Sequence, residues 1–191
     1  MILIVAIIIG LAATFVRARL YHRTLTLAKL RWDWLVFAMV IPQVLAFQIP
    51  AVGRWIPESV IPTLQISTML GLLVFAAINI TAPGFWALGI GLLSNLTVIA
   101  LNGGWMPISP ETLHRMVPDT AIDTWIIGSR LGFSKDLIMA SSATNLTWLS
   151  DCLTLPQGFP YKVAFSIGDF FISVGAFLLL WSLSRKEKEI I

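Results

Sequence analysis

The chain has 191 residues, 57 % of them hydrophobic and only 12 % charged, with a mean hydropathy of +0.85. A soluble domain carries about twice that share of charge, and here the apolar residues gather in long blocks, so the composition argues for an integral membrane protein. The net charge of +3 is too small and scattered for a nucleic-acid partner, and the single cysteine, Cys152, excludes an internal disulfide.

Five apolar blocks read as spans, at residues 2–16, 34–47, 60–80, 84–101 and 163–183, within one membrane domain covering residues 1–191. The first two are short for a hydrocarbon core of about 30 Å, so flanking side chains must snorkel or the bilayer thin. The first has no basic segment before it and no convincing small-x-small cleavage site, so it reads as a span rather than a signal peptide. Pro42 and Pro62, inside or near spans, predict kinks. Eight Trp, many near block ends, fit an interfacial belt.

Lys and Arg set the orientation. Arg17, Arg19, Arg23, Lys29 and Arg31 lie between the first two spans, and Arg185, Lys186 and Lys188 lie in the tail, whereas the next loop has only Arg54. Positive-inside placement puts the N-terminus outside and the C-terminus inside. The expected fold is thus an all-α five-span helical bundle. Residues 102–162 would form an outer-face cap of short helices, half in the interface. Ser109-Pro110-Glu111 marks one helix start, and Ser134 is a candidate cap for a second helix running toward Leu149.

Asp169 carries the chemical interest, because a carboxylate inside an apolar span must be paired, protonated or facing a wet cavity. Ser166, Asp169 and Ser173 share one helical face; Gly168 and Gly175 share another, where a neighbouring helix can approach closely. Asp151 lies upstream, and the turn-rich return from Thr154 to Pro160 can bring the two acids together. Two close carboxylates split their protonation states, the logic of aspartic peptidases. Asn102, Gly103, Gly104 and Asn145 are candidate pocket or support residues beside them. The non-catalytic reading makes Asp169 a helix-to-helix hydrogen-bond partner of Asn95, Gln65 or Asn102, Asp151 a solvated loop acid, and Asn102-Gly103-Gly104 an exit turn with glycine at positive φ. Nothing orients His114 with Cys152 as a pair. No His/Cys cluster suggests a metal, and no cofactor is expected.

The last quarter of the chain, with Asp151, Phe159-Pro160 and the run from Phe165 through Asp169 to Gly175, resembles the end of lipoprotein signal peptidase (signal peptidase II), a membrane aspartyl enzyme. That resemblance implies Asp151 and Asp169 as the catalytic acids. Ser166 stands where that family has Asn, and Gly168 where it has Ala; the family also has four spans and its N-terminus inside. Over its whole length the chain is similar to an uncharacterised family of small multi-span bacterial membrane proteins, through Asn102-Gly-Gly-Trp-Met-Pro-Ile-Ser109 combined with Ser166-Ile-Gly-Asp169. This resemblance implies a bacterial inner membrane and no assigned reaction. The expected function is therefore a non-catalytic scaffold or accessory subunit of a membrane complex, in contact with lipids and other membrane subunits. The alternative is an outward-facing aspartyl hydrolase using Asp151 and Asp169; a transporter is disfavoured by the single intramembrane acid and the missing repeat.

Overall fold

The computed structural model describes residues 2–156, 158–159 and 161–185, with backbone alone at Arg185. Lys186 and Lys188 of the basic tail, and Pro160 of the Phe-Pro pair, lie outside the described residues. The architecture is mostly helical: α1 (Ile2–Leu20), α2 (Asp33–Phe47), α3 (Pro50–Gly53), α4 (Ile61–Ile78), α5 (Phe85–Leu101), α6 (Pro110–Met116) and α7 (Ile167–Ser182). Two helical stretches, Ile2–Leu20 and Glu58–Ile78, are long and apolar enough to cross a membrane, while α2, α5 and α7 are shorter apolar helices. Each of the five forms on a run of mostly apolar residues, with charge confined to its first or last turn: Arg17 and Arg19 end α1, Asp33 opens α2 and Asp169 lies in the first turn of α7. Asn79 ends α4 and Asn102 ends α5.

The long helices pack in the order α1, α7, α5, α4, α2, each mainly against its neighbours. The tightest approach is between α5 and α7. A Cβ on Gly175 would sit 2.7 Å from the Gly84 carbonyl oxygen, and one on Gly91 would sit 2.5 Å from that of Gly168. Both contacts therefore require glycine. They recur seven residues apart on each helix, two turns or about 10.5 Å along the axis. The small-residue face expected on the last helix is thus met by Gly91 of α5 and by Gly84, the residue just before it.

Successive long helices alternate between two ends of the molecule. At one end, Thr24–Leu25 (β1) pairs antiparallel with Ser184–Arg185 (β6). Asn79, just after α4, holds the basic loop there too: Arg31 N donates to its Oδ1 (2.8 Å) and its Nδ2 donates to the Arg31 carbonyl (2.9 Å). At the other end sit the starts of α4 and α7, the end of α5, and the cap formed by residues 102–162.

Three features differ from expectation. The cap is not a set of short helices: α6 is its one α-helix among the described residues, joined by 3₁₀ turns and strands. Met106–Ile108 (β2) pairs in parallel with Asp136–Ile138 (β3), and Leu153–Thr154 (β4) pairs antiparallel with Ala164–Phe165 (β5). Ser134 caps no helix; its Oγ accepts from the Asp136 amide at 3.0 Å and closes a turn into β3. Second, α7 begins at Ile167 rather than 163, because residues 164–165 are strand, which three apolar residues cannot reveal. Third, Pro62 lies in the first turn of α4, where a missing N–H costs nothing, so it starts a helix rather than kinking one; Pro42 does lie inside α2.

The core runs from the helices into the cap without a break, with Phe75, Phe85, Leu92, Val98 and Ile99 continuous with Met106 and Leu149. A second cluster, Ile108, Leu113 and Ile138, holds the cap together.

Candidate functional site

Sequence-local chemistry builds the site's first half. Ser166 is the N-cap of α7: its Oγ accepts from the Asp169 amide (2.9 Å), and the Ser166 amide reaches back to Asp169 Oδ2 (3.5 Å), completing a capping box. Asp169 therefore occupies the first turn of α7, nearer the helix start than the apolar run suggested. Asn95 of α5 then ties cap to helix: its Nδ2 donates to Asp169 Oδ1 (2.8 Å), and Ser166 Oγ donates to its Oδ1 (2.8 Å). Of the three partners the sequence offered for Asp169, Asn95 is the one it uses. Gly168 leaves room for this amide, since a Cβ there would fall 2.0 Å from Asn95 Oδ1.

The second half comes from the cap. The β4–β5 register sets Leu153 opposite Phe165 and Thr154 opposite Ala164, so the chain returns with Asp151 beside the start of α7. On its other side, the Asp151 amide donates to the Pro107 carbonyl of β2 (3.1 Å), while the Met106 amide of the same strand donates to the Lys135 carbonyl (3.3 Å). Strand β2 thus places Lys135 and Asp151 on its two flanks. Lys135 Nζ donates to Asp136 Oδ1 and to Asp151 Oδ2, each at 2.9 Å. Asp151 is not the solvated loop acid that one reading expected: it is buried, 4 % exposed, and its Oδ1 has no hydrogen-bond partner among the described residues.

Electrostatics follow from this crowding. Burial opposes the charge of Lys135, but the carboxylates of Asp136, Asp151 and Asp169 outweigh it and hold the ammonium protonated well above its ordinary range. Burial pushes the Asp151 carboxyl well up; Lys135 pulls it back, while Asp136 and Asp169 add to the rise. Both Lys135 and Asp151 thus feel Asp169, so the two acids of the sequence reading share one field with an ammonium in it. Neither Lys135 nor Asp136 was anticipated.

The supporting residues take up distinct positions. Asn102, at the end of α5, donates through Nδ2 to the Asn145 carbonyl (2.9 Å) and accepts from the Asn145 amide at Oδ1 (2.9 Å). That two-way clasp fastens the cap to α5, as the Asn95 bridge fastens α7 to it. Gly103 and Gly104 have φ of +71° and +87°, the exit turn expected of them, and Gly104 lies against Pro62 of α4. These residues hold the cap's root, and their hydrogen bonds among the described residues go to backbone rather than to the acids. Ser173 is buried further along α7, its Oγ without a partner among the described residues. His114 and Cys152 do not pair: His114 Nδ1 meets the Thr120 carbonyl (2.9 Å), and Cys152 Sγ points to the Trp148 carbonyl (3.7 Å). Burial pushes the Cys152 thiol up, away from thiolate chemistry. No cluster of three or more His, Cys, Asp or Glu with metal-binding geometry occurs among the described residues.

Residues 27–181 match the protein family described as "Family of unknown function (DUF5317)", and the chain belongs to that family. No curated protein and no solved structure matches it.

Proposed function

We propose that this chain is a five-span bacterial inner-membrane protein, N-terminus outside and C-terminus inside, acting as a non-catalytic scaffold or accessory subunit. One observation carries the scaffold reading: every acid of the candidate site is committed to holding elements together. Asp169 caps α7 and binds α5 through Asn95, and Asp151 joins the cap's strands to Lys135. The groove on the cap is lined by residues including Arg115, Met116, Phe159, Tyr161 and Lys162 and by neither acid. The topology is supported by the gathering of the basic loop and the end of α7 at one pole, through the β1–β6 ladder and the Asn79 clasp, with the cap at the other. Exposed Ile126, Ile127 and Trp148 on the cap give it apolar area for the interface or for another membrane subunit.

A second reading, the outward-facing aspartyl hydrolase, is favoured by the hairpin register that brings Asp151 beside Asp169 and by the unpartnered Asp151 Oδ1. Two experiments separate and test these. Alkaline phosphatase fused after Ile127 is expected to be active and fused at the C-terminus inactive; the reverse refutes the topology. Purified protein is expected to leave a lipid-modified signal-sequence peptide intact. Cleavage that disappears in both Asp151→Asn and Asp169→Asn, with the protein still folded, overturns the scaffold reading in favour of the hydrolase.

A further inference from the structure

At the pole opposite the cap, a groove of about 540 Å³ opens between α1 and α7, lined by Ala13, Val16, Arg17, Leu20, Tyr21, Arg23 and Trp181. Its chemistry is split in two. Ala13, Val16 and Leu20 follow one another at three- and four-residue steps, so they form an apolar stripe along α1. Arg17 stands beside Val16 in that stretch, before Leu20, and Arg23 lies just past the end of α1.

The two arginines are held differently. The Arg17 guanidinium lies 4.3 Å from the centre of the Trp181 ring, and its Nη1 donates to the Trp181 carbonyl at 3.2 Å, in the last turn of α7. That stacking fixes the plane of the fork while leaving most of its five N–H donors unused. Arg23 faces the Tyr21 ring at 5.7 Å, and its Nε is shielded from solvent with no acceptor among the described residues. A buried cationic donor without an acceptor marks a place where an anionic oxygen belongs. No acid lines the groove.

We infer that this groove binds an anionic phospholipid, its phosphodiester oxygens held by Arg17 and Arg23 and one acyl chain lying along Ala13, Val16 and Leu20. A free phosphate satisfies only the arginines; the apolar stripe beside them selects the lipid. The inference rests on the proposed reading of α1 and α7 as spans, and it deepens that reading by naming a lipid class.

The test is binding of phosphatidylglycerol to the purified full chain in a neutral detergent, followed by native mass spectrometry. Phosphatidylcholine and inorganic phosphate are compared as competitors. Phosphatidylglycerol is expected to bind and both competitors to displace it poorly. Arg23→Gln removes a side chain that makes no hydrogen bond in the fold, and is expected to weaken binding about five-fold; with Arg17→Gln added the loss reaches about thirty-fold, each basic contact contributing a factor of about five. Ala13→Trp fills the groove with both charges in place and is expected to weaken binding as well. Affinity unchanged in Arg23→Gln and Ala13→Trp, equal affinity for phosphatidylcholine, or full displacement by inorganic phosphate would each overturn the inference. The phosphatase fusions test the topology separately, so lipid selectivity with reversed fusions refutes the orientation alone.

Discussion

Replacing Lys135 by Met tests whether the ammonium is what makes the buried acids tolerable. Removing one partner of a buried ion pair costs about 3–5 kcal/mol, because the other charge stays behind without compensation. Here the Asp151 side chain is 5 % exposed but that of Lys135 is 34 % exposed. Part of the Lys135 side chain is therefore open to water, which lowers the expectation to about 2–3 kcal/mol. For a chain of this size each kcal/mol moves Tm by about 2–4 °C, so Lys135→Met is expected to melt about 4–12 °C below the parent at neutral pH. Asp151→Asn alone removes a carboxylate whose charge burial disfavours and leaves Lys135 with Asp136, so it is expected to melt at or above the parent at neutral pH. The double variant then leaves no orphaned charge, and it is expected to regain most of what Lys135→Met loses, a coupling of about 2 kcal/mol. Thermal unfolding in detergent, followed by tryptophan fluorescence, measures all four proteins. A Lys135→Met protein melting with the parent, or a double variant melting as low as Lys135→Met, refutes the reasoning.

Other consequences follow from the same geometry. The Asp151 carboxyl is raised in the folded state, chiefly by burial, above its ordinary value of 3.8; its contribution to stability is complete below that value and is lost as pH rises through the folded pKa. Tm of the parent is therefore expected to fall relative to Asp151→Asn as pH rises above that value, and parallel pH profiles would contradict this. Gly175→Ala puts a Cβ 2.7 Å from the Gly84 carbonyl oxygen, which only separation of α5 and α7 relieves; overpacking of this kind costs about 1–3 kcal/mol. Gly103→Ala meets no atom within 4 Å and serves as the comparison, its cost confined to the positive φ, about 1–2 kcal/mol. Asn95→Leu deletes the bridge from α5 to Asp169 and Ser166, at about 1–3 kcal/mol. Unchanged melting in Asn95→Leu would show that the bridge does not hold α7 in place.

The long helices were legible because each is a long, predominantly apolar run, and such runs need no tertiary information to be read. Gly168 and Gly175 were legible as a close-packing face for the same reason, since a seven-residue spacing is visible in one segment. Their partners Gly84 and Gly91 carry the same spacing, a signal present in the sequence and left unused. The cap was not legible. Its strands are two or three residues long, below the length at which alternation means anything, and β2 pairs with β3 across thirty positions (Met106 with Asp136). Lys135 and Asp136 accordingly look like any charged pair in a polar turn. Only the parallel β2–β3 pairing, which no local pattern announces, brings Lys135 to Asp151.

That missing lysine changes what the two acids can be. An aspartyl dyad works because one carboxylate keeps the proton its neighbour cannot share, and because water reaches the pair. Asp151 does retain its proton to higher pH, but burial is the leading cause, and its side chain is nearly closed to solvent. Asp169 has one oxygen on Asn95 and the other on its own helix cap. Activating water would require Asp169 to leave that cap, loosening the start of α7, or Asp151 to leave Lys135, loosening the cap's strands. The energy that makes the arrangement a good clasp is therefore the energy a catalytic cycle would have to spend at every turnover. This is why removing Lys135 should cost stability, whereas an aspartyl enzyme would be expected to lose activity first.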